Sequence, residues 1–238
     1  ERNLKMLKHD LMMRNPLRLM GKDTEEILKK GEFGALLARA GVGKTALLVQ
    51  LSLNSLLRGK NVLHISLQDP VNKVSVWYKE VFSRIAQIYD IHQMDQLWDT
   101  ILPHRFIMTF QVEGFTVPKL EERLTDLIEQ DIFVPQMMLI DGLPFDDSVG
   151  DVLLQLKAVA QKYAMHAWFT VRTHRHETPS QDGIPLQLIQ VADLFKVALQ
   201  LVPEGKQIHV KALKIPGVVS DQPDLVLDPS TMLITKER

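Results

Sequence analysis

The chain contains no cysteine. Disulfides, thiolate nucleophiles and cysteine-built metal sites are therefore excluded, and a reducing compartment, the cytoplasm, is the expected home. It has almost no charge excess: 28 basic against 29 acidic side chains leave a formal net charge of −1. A surface built throughout to coat nucleic acid is excluded, although a local basic patch is not. It lacks any apolar run near the ~18–20 residues that cross a bilayer, and no signal-peptide pattern opens it, so no membrane partner is expected. Internal repeats and low-complexity linkers are missing too.

What is present is a soluble globular composition. Of 238 residues, 45% are hydrophobic and 24% charged, enough to bury a substantial core. Residues 1–20, ERNLKMLKHDLMMRNPLRLM, read as a separate basic amphipathic arm. Leu4, Leu7 and Leu11 have helical spacing, Pro16 ends the helix, and five Lys/Arg face two acids. Such an arm packs either on its own domain or on a neighbouring subunit.

Residues 21–238 read as one domain in which strands and helices alternate. The strand-like stretches are Phe33–Leu37, Asn61–Leu67, Arg105–Phe110, Gln136–Asp141 and Ala167–Val171. Helices are expected over Lys44–Leu57, stopped by Arg58-Gly59-Lys60, and over Val74–Ile88, Pro118–Gln130 and Val149–Tyr163. Asp193–Leu201 and Gln207–Leu213 fit a hairpin turning at Pro203-Glu204-Gly205. This order implies a mostly parallel α/β sheet with helices on both faces, and ligands at the C-terminal strand ends.

The segment Ala38-Arg39-Ala40-Gly41-Val42-Gly43-Lys44-Thr45 lies between the first strand and the first helix. It matches the phosphate-loop pattern G-x-x-x-x-G-K-(S/T) except that Ala38 stands in the first position. Gly41 and Gly43 allow a tight turn whose N–H groups converge on phosphate oxygens, and the helix start adds its positive end. Lys44 can reach the β- and γ-phosphates of ATP, and the Thr45 hydroxyl can ligate Mg²⁺. Ala38 adds only a methyl group at the loop entrance. Asp141, ending the apolar run QMMLID, suits the acidic position that holds Mg²⁺ or its water shell; Asp146 and Asp147 lie beyond the strand end.

These stretches, EEILKKGEFGALLARAGVGKTALLVQL, VLHISLQD, MMLIDGLP, HAWFTVRTH, VADLFKVALQL and QIHVKALK, resemble in their order a RecA-like P-loop ATPase, closest in pattern to the KaiC, RadA and DnaB-helicase branch. The resemblance spans roughly Asp23 to Leu213. It implies a RecA-like core with a C-terminal β-hairpin, ATP with Mg²⁺, and a homo-oligomer whose nucleotide sites lie near subunit interfaces.

Three departures qualify it. Where the family places a water-activating Glu, this chain has Gln68, which can orient a water but cannot take its proton; Asp69 is adjacent but should face the other way. Arg172, Thr173 and His174 are candidates for sensing the γ-phosphate, with the register open. In the hairpin, Lys211 keeps the first position of a Lys-x-Arg pair that reaches a neighbour's γ-phosphate, but Leu213 takes the Arg position and Lys214 is one residue off. The loop from Arg175 to Gly183 carries His174, Arg175 and His176 beside Glu177 and Asp182, and lacks aromatics for base stacking. The expectation is an ATP–Mg²⁺ binding regulatory or assembly module with slow or partner-dependent hydrolysis, Lys44, Gln68 and Asp141 carrying the chemistry. A DNA-dependent ATPase and a small-molecule phosphotransferase are the alternatives.

Overall fold

The computed structural model describes residues 27–88, 94–174, 180, 183–215 and 225–236. The expected arm at 1–20 and most of the loop at 175–182 lie outside these residues. The strands are β1 (Phe33–Ala38), β2 (Val62–Ser66), β3 (Arg105–Thr109), β4 (Met137–Asp141), β5 (His166–Arg172), β6 (Phe195–Glu204), β7 (Gln207–Lys214), β8 (Leu225–Leu227) and β9 (Ile234–Lys236). The helices are α1 (Lys44–Leu57), α2 (Val71–Ile88), α3 (Met94–Ile101), α4 (Val117–Glu129), α5 (Val149–Lys162) and the short α6 (Leu186–Ile189).

All nine strands form one sheet, ordered β3-β2-β4-β5-β1-β6-β7-β8-β9. From β3 to β6 every pairing is parallel; β6 to β9 are antiparallel. Period-two alternation divides the core. Leu36 and Ala38 of β1 pack with α1, α2 and α3, while Phe33, Ala35 and Leu37 face α4 and α5. Both faces of the parallel part are thus covered, as its uninterrupted apolar strands require.

The expected elements recur with small shifts. The α1 helix ends as the Arg58-Gly59-Lys60 signal predicts: Lys60 N–H donates to the Ser55 carbonyl and Gly59 N–H to that of Leu56, a Schellman stop. The hairpin differs. Residues 192–194 form a 3₁₀ turn, and β6 runs on through Pro203 to Glu204, pairing with Gln207, so the turn lies at Gly205-Lys206.

Two elements were not expected, α3 and the pair β8–β9. The latter forms a strap lying on α1. The Gln50 amide donates to the Met232 carbonyl at 2.7 Å and accepts from Ile234 N–H at 3.1 Å. From α2, Arg84 donates to the Thr231 carbonyl at 3.1 Å. Sheet beneath and strap above explain why α1 is buried almost all round.

Candidate functional site

Parallel pairing brings the C-terminal ends of β1, β2, β4 and β5 to one edge, where a cavity of about 660 Å³ opens. Ala38 is the last residue of β1 and fully buried, its methyl in the core, which explains why an Ala suffices at the first loop position. The loop then turns through Gly41 at φ 76° and Gly43 at φ 105°. A Cβ on Gly43 would lie 2.7 Å from both Leu227 Cδ2 and Met232 Cε, so only glycine fits beneath the strap. Ala40, Gly41, Gly43, Lys44 and Thr45 line the cavity, while Val42 turns into the core. The Lys44 ammonium donates to the carbonyls of Ala38 and Arg39, both at 2.8 Å. Burial lowers its pKa to about 8; Asp141 counteracts this and Arg172 adds to it.

Asp141 faces Lys44's loop from β4. Thr45 donates to its Oδ2 at 3.0 Å, and Thr170 of β5 donates to its Oδ1 at 2.6 Å. The Thr170 hydroxyl in turn accepts the Gly142 N–H at 3.0 Å, fixing the strand end. Burial pushes the Asp141 carboxyl above its usual range, against the hydrogen bonds of Thr170 and Thr45; Asp69 adds to the rise and Lys44 opposes it. A buried carboxylate held against a hydroxyl, with an ammonium nearby, is the donor set a hard divalent cation uses. These residues fit Mg²⁺, with Thr45 and Asp141 as its protein contacts.

Gln68 follows β2 and lines the cavity. It crosses Gly142, whose φ is +91° and whose added Cβ would come 2.8 Å from Gln68 Cγ. Asp69 faces elsewhere, pairing with Lys73 at 2.7 Å, as strand alternation predicts. Among the γ-phosphate candidates, Arg172 and His174 line the cavity and Thr173 is buried. Arg172 is exposed and has no hydrogen-bond or ion-pair partner among the described residues. Asp146 also borders the cavity, but its Oδ1 accepts from Ser148 N–H and Oγ at 2.9 and 2.6 Å; Asp147 does not border it.

The hairpin lysines are engaged within the chain. Lys211 pairs with Glu204 at 2.6 Å and Lys214 donates to the Ala192 carbonyl at 3.1 Å. Leu213 packs into the core on the α4 and α5 side. Thr170, Trp77 and Met232 are site residues that sequence reasoning missed. Thr170 carried a signal, a hydroxyl in the otherwise apolar run AWFTV; Met232 carried none.

With β5 inserted between β1 and β4, a glycine-turned loop entering α1, and Asp141 across from Thr45, the molecule has the RecA-like P-loop fold. Neither a protein-family model nor a curated protein matches the sequence. Among solved structures, the chain is similar to the ATPase domain of a DnaB-like helicase. The two share 14% identity at a TM-score of 0.64, over 89% of this chain and 86% of that one. At that identity the likeness is one of fold. Among the described residues no helix is long and apolar enough to cross a membrane.

Proposed function

We propose that this protein binds ATP–Mg²⁺ at the 38–45 loop and hydrolyses it slowly or only with a partner, as a regulatory or assembly module acting in a homo-oligomer. The observation that carries the reading is the convergence of Lys44, Thr45 and Asp141 on one cavity beside the turned loop. In this reading the Lys44 ammonium leaves the carbonyls of Ala38 and Arg39 for phosphate oxygens, and loop N–H groups hold the others. Mg²⁺, when bound, neutralises phosphate charge as the bridging bond breaks.

Hydrolysis requires a water oxygen to bond to the γ-phosphorus while the bond to the β-phosphate oxygen breaks. Gln68 faces the cavity and can aim that water through its carboxamide. It cannot take the proton, which must pass to a phosphate oxygen or to solvent. Arg172, unpartnered on the same wall, offers positive charge to the terminal phosphate from within the subunit. Leu213 in the core and Lys211 tied to Glu204 give little support to a charge supplied from a neighbour's hairpin. Water activation is then the weak step, which favours slow turnover over motor activity.

The test is Lys44→Ala. Losing a charge-assisted contact worth about 1.5–3 kcal/mol should weaken a fluorescent ATP analogue roughly 10- to 150-fold. Equal dissociation constants for the two proteins would remove the nucleotide assignment.

A further inference from the structure

The cavity has two chemically different sides. Its polar side chains come from the ends of β2, β4 and β5 and from the phosphate loop: Gln68, Asp141, Thr170, Arg172, Lys44 and Thr45. The strap and α2 contribute one lining residue each, Met232 and Trp77. Met232 Cε lies against Gly43, and both Met232 and Trp77 pack on the core around α1. If phosphates and Mg²⁺ occupy the Lys44–Asp141 side, a nucleoside leaving the loop meets a thioether and an indole.

The strap's backbone is already committed. Met232 N–H donates to the Asp228 carbonyl at 2.7 Å, and Asp228 N–H to the Leu233 carbonyl at 2.9 Å. The carbonyls of Met232 and Thr231 accept from Gln50 and Arg84, Ile234 N–H donates to Gln50, and Leu233 N–H to the Thr231 hydroxyl. A base edge is told from another by matching donors and acceptors, and here those groups are spent holding the strap in place. The indole N–H of Trp77 is a single donor, and every common nucleobase offers an acceptor to it.

We propose that Met232 and Trp77 form the nucleobase wall, and that the site accepts nucleoside triphosphates with little regard to which base they carry. The inference rests on the nucleotide reading above and adds its substrate class: a ribonucleoside triphosphate with any of the four bases, held by its phosphates and by apolar contact with its base.

Titration with Mg²⁺ and each of ATP, GTP, CTP, UTP and base-free inorganic tripolyphosphate tests it. The four nucleotides should bind within about tenfold of one another, since an apolar pocket without hydrogen-bond readout discriminates weakly. Tripolyphosphate should bind more weakly than all four. Met232→Gly removes the thioether and suits the residue's left-handed φ of 57°. It should weaken the four nucleotides roughly 2- to 12-fold, the range of a sulfur–aromatic contact, and leave tripolyphosphate unchanged. Trp77→Ala, on α2 and independent of the strap, should do the same.

A preference above ~10²-fold for one base would show polar readout and overturn the proposal. So would variants that weaken tripolyphosphate as much as nucleotide, because they would then be acting through the loop. Wild-type protein that binds tripolyphosphate as tightly as ATP would refute the base wall alone. Protein that binds neither would bring down the nucleotide reading as well.

Discussion

Changing Gln68 to Glu alters one atom and almost no volume, yet it converts a water-orienting group into one that can accept a proton. The structure sets both sides of the outcome. Gln68 lies over Gly142, directly after Asp141, so the new carboxylate enters a region where burial and Asp69 already raise the Asp141 carboxyl. Two carboxylates ~4 Å apart cost about 4 kcal/mol at an effective dielectric near 20, less with distance. Bound Mg²⁺ and the Lys44 ammonium offset part of this. A positioned general base contributes ~10²–10⁴ in rate. The expected net is a rise of about 10- to 100-fold in phosphate release under single-turnover conditions, with ATP affinity unchanged or slightly weaker. Gln68→Ala should fall below wild type, because orientation is lost with nothing gained. Phosphate release and fluorescent-ATP binding, measured on the same three proteins, separate rate from affinity. Unchanged or slower turnover in a Gln68→Glu protein that still binds ATP would refute the assignment of Gln68 to the water. Wild-type turnover of ~1–10³ s⁻¹ without a partner would refute the slow-hydrolysis reading.

Gly43→Ala forces a side chain into a left-handed conformation and into the space held by Leu227 and Met232. Strain and overpacking together should cost about 2–6 kcal/mol, read from denaturant midpoints, and Leu227→Ala should recover part of the loss. Burial depresses the pKa of Lys44 to about 8. ATP binding that needs the ammonium should therefore hold below pH 8 and weaken as pH rises above it, by up to ~10-fold per unit; an affinity flat from pH 7 to 9.5 would contradict this. His64 and His166 are buried, with pKa values lowered to about 3 and about 4, and the nearby charges of Arg105 and Lys60 add to burial. Because the unfolded chain binds more protons below pH 6.5, stability should be complete above that pH and fall on acidification. Each histidine should contribute up to about 1.4 kcal/mol per unit until its folded pKa is reached. Urea midpoints that do not decline from pH 7 to 4.5 would refute the linkage.

The sequence reached the parallel core because its signals are local and repeated. In β1 every other residue is assigned to a face by alternation, and Gly59 marks the end of α1 through a backbone requirement only glycine meets easily. The hairpin turn was misplaced because Pro203 looked like a breaker. In the sheet β6 pairs with β1 only as far as Gln200, so at Pro203 one side of the strand faces no neighbour and no ladder bond is lost there. The strap left no such trace. LVL and ITK are too short to show a period, and their anchor, Gln50, reads in the sequence as an ordinary polar residue on a helix. Gln68 could be nominated from its place after β2, but that it crosses Gly142 depends on the parallel register of β2 with β4.

The tie between Gln50 and Met232 joins residues 182 positions apart. Contacts of such separation close late, after the local helices and nearer strand pairs have formed. A chain that has made everything through β7 would possess the phosphate loop, its lysine and the magnesium carboxylate, with the outer side of α1 still uncovered. Nucleotide capture would then act as a completeness check: full affinity would distinguish a molecule with its last strands in place from a fragment or a partly folded form whose catalytic groups are all present.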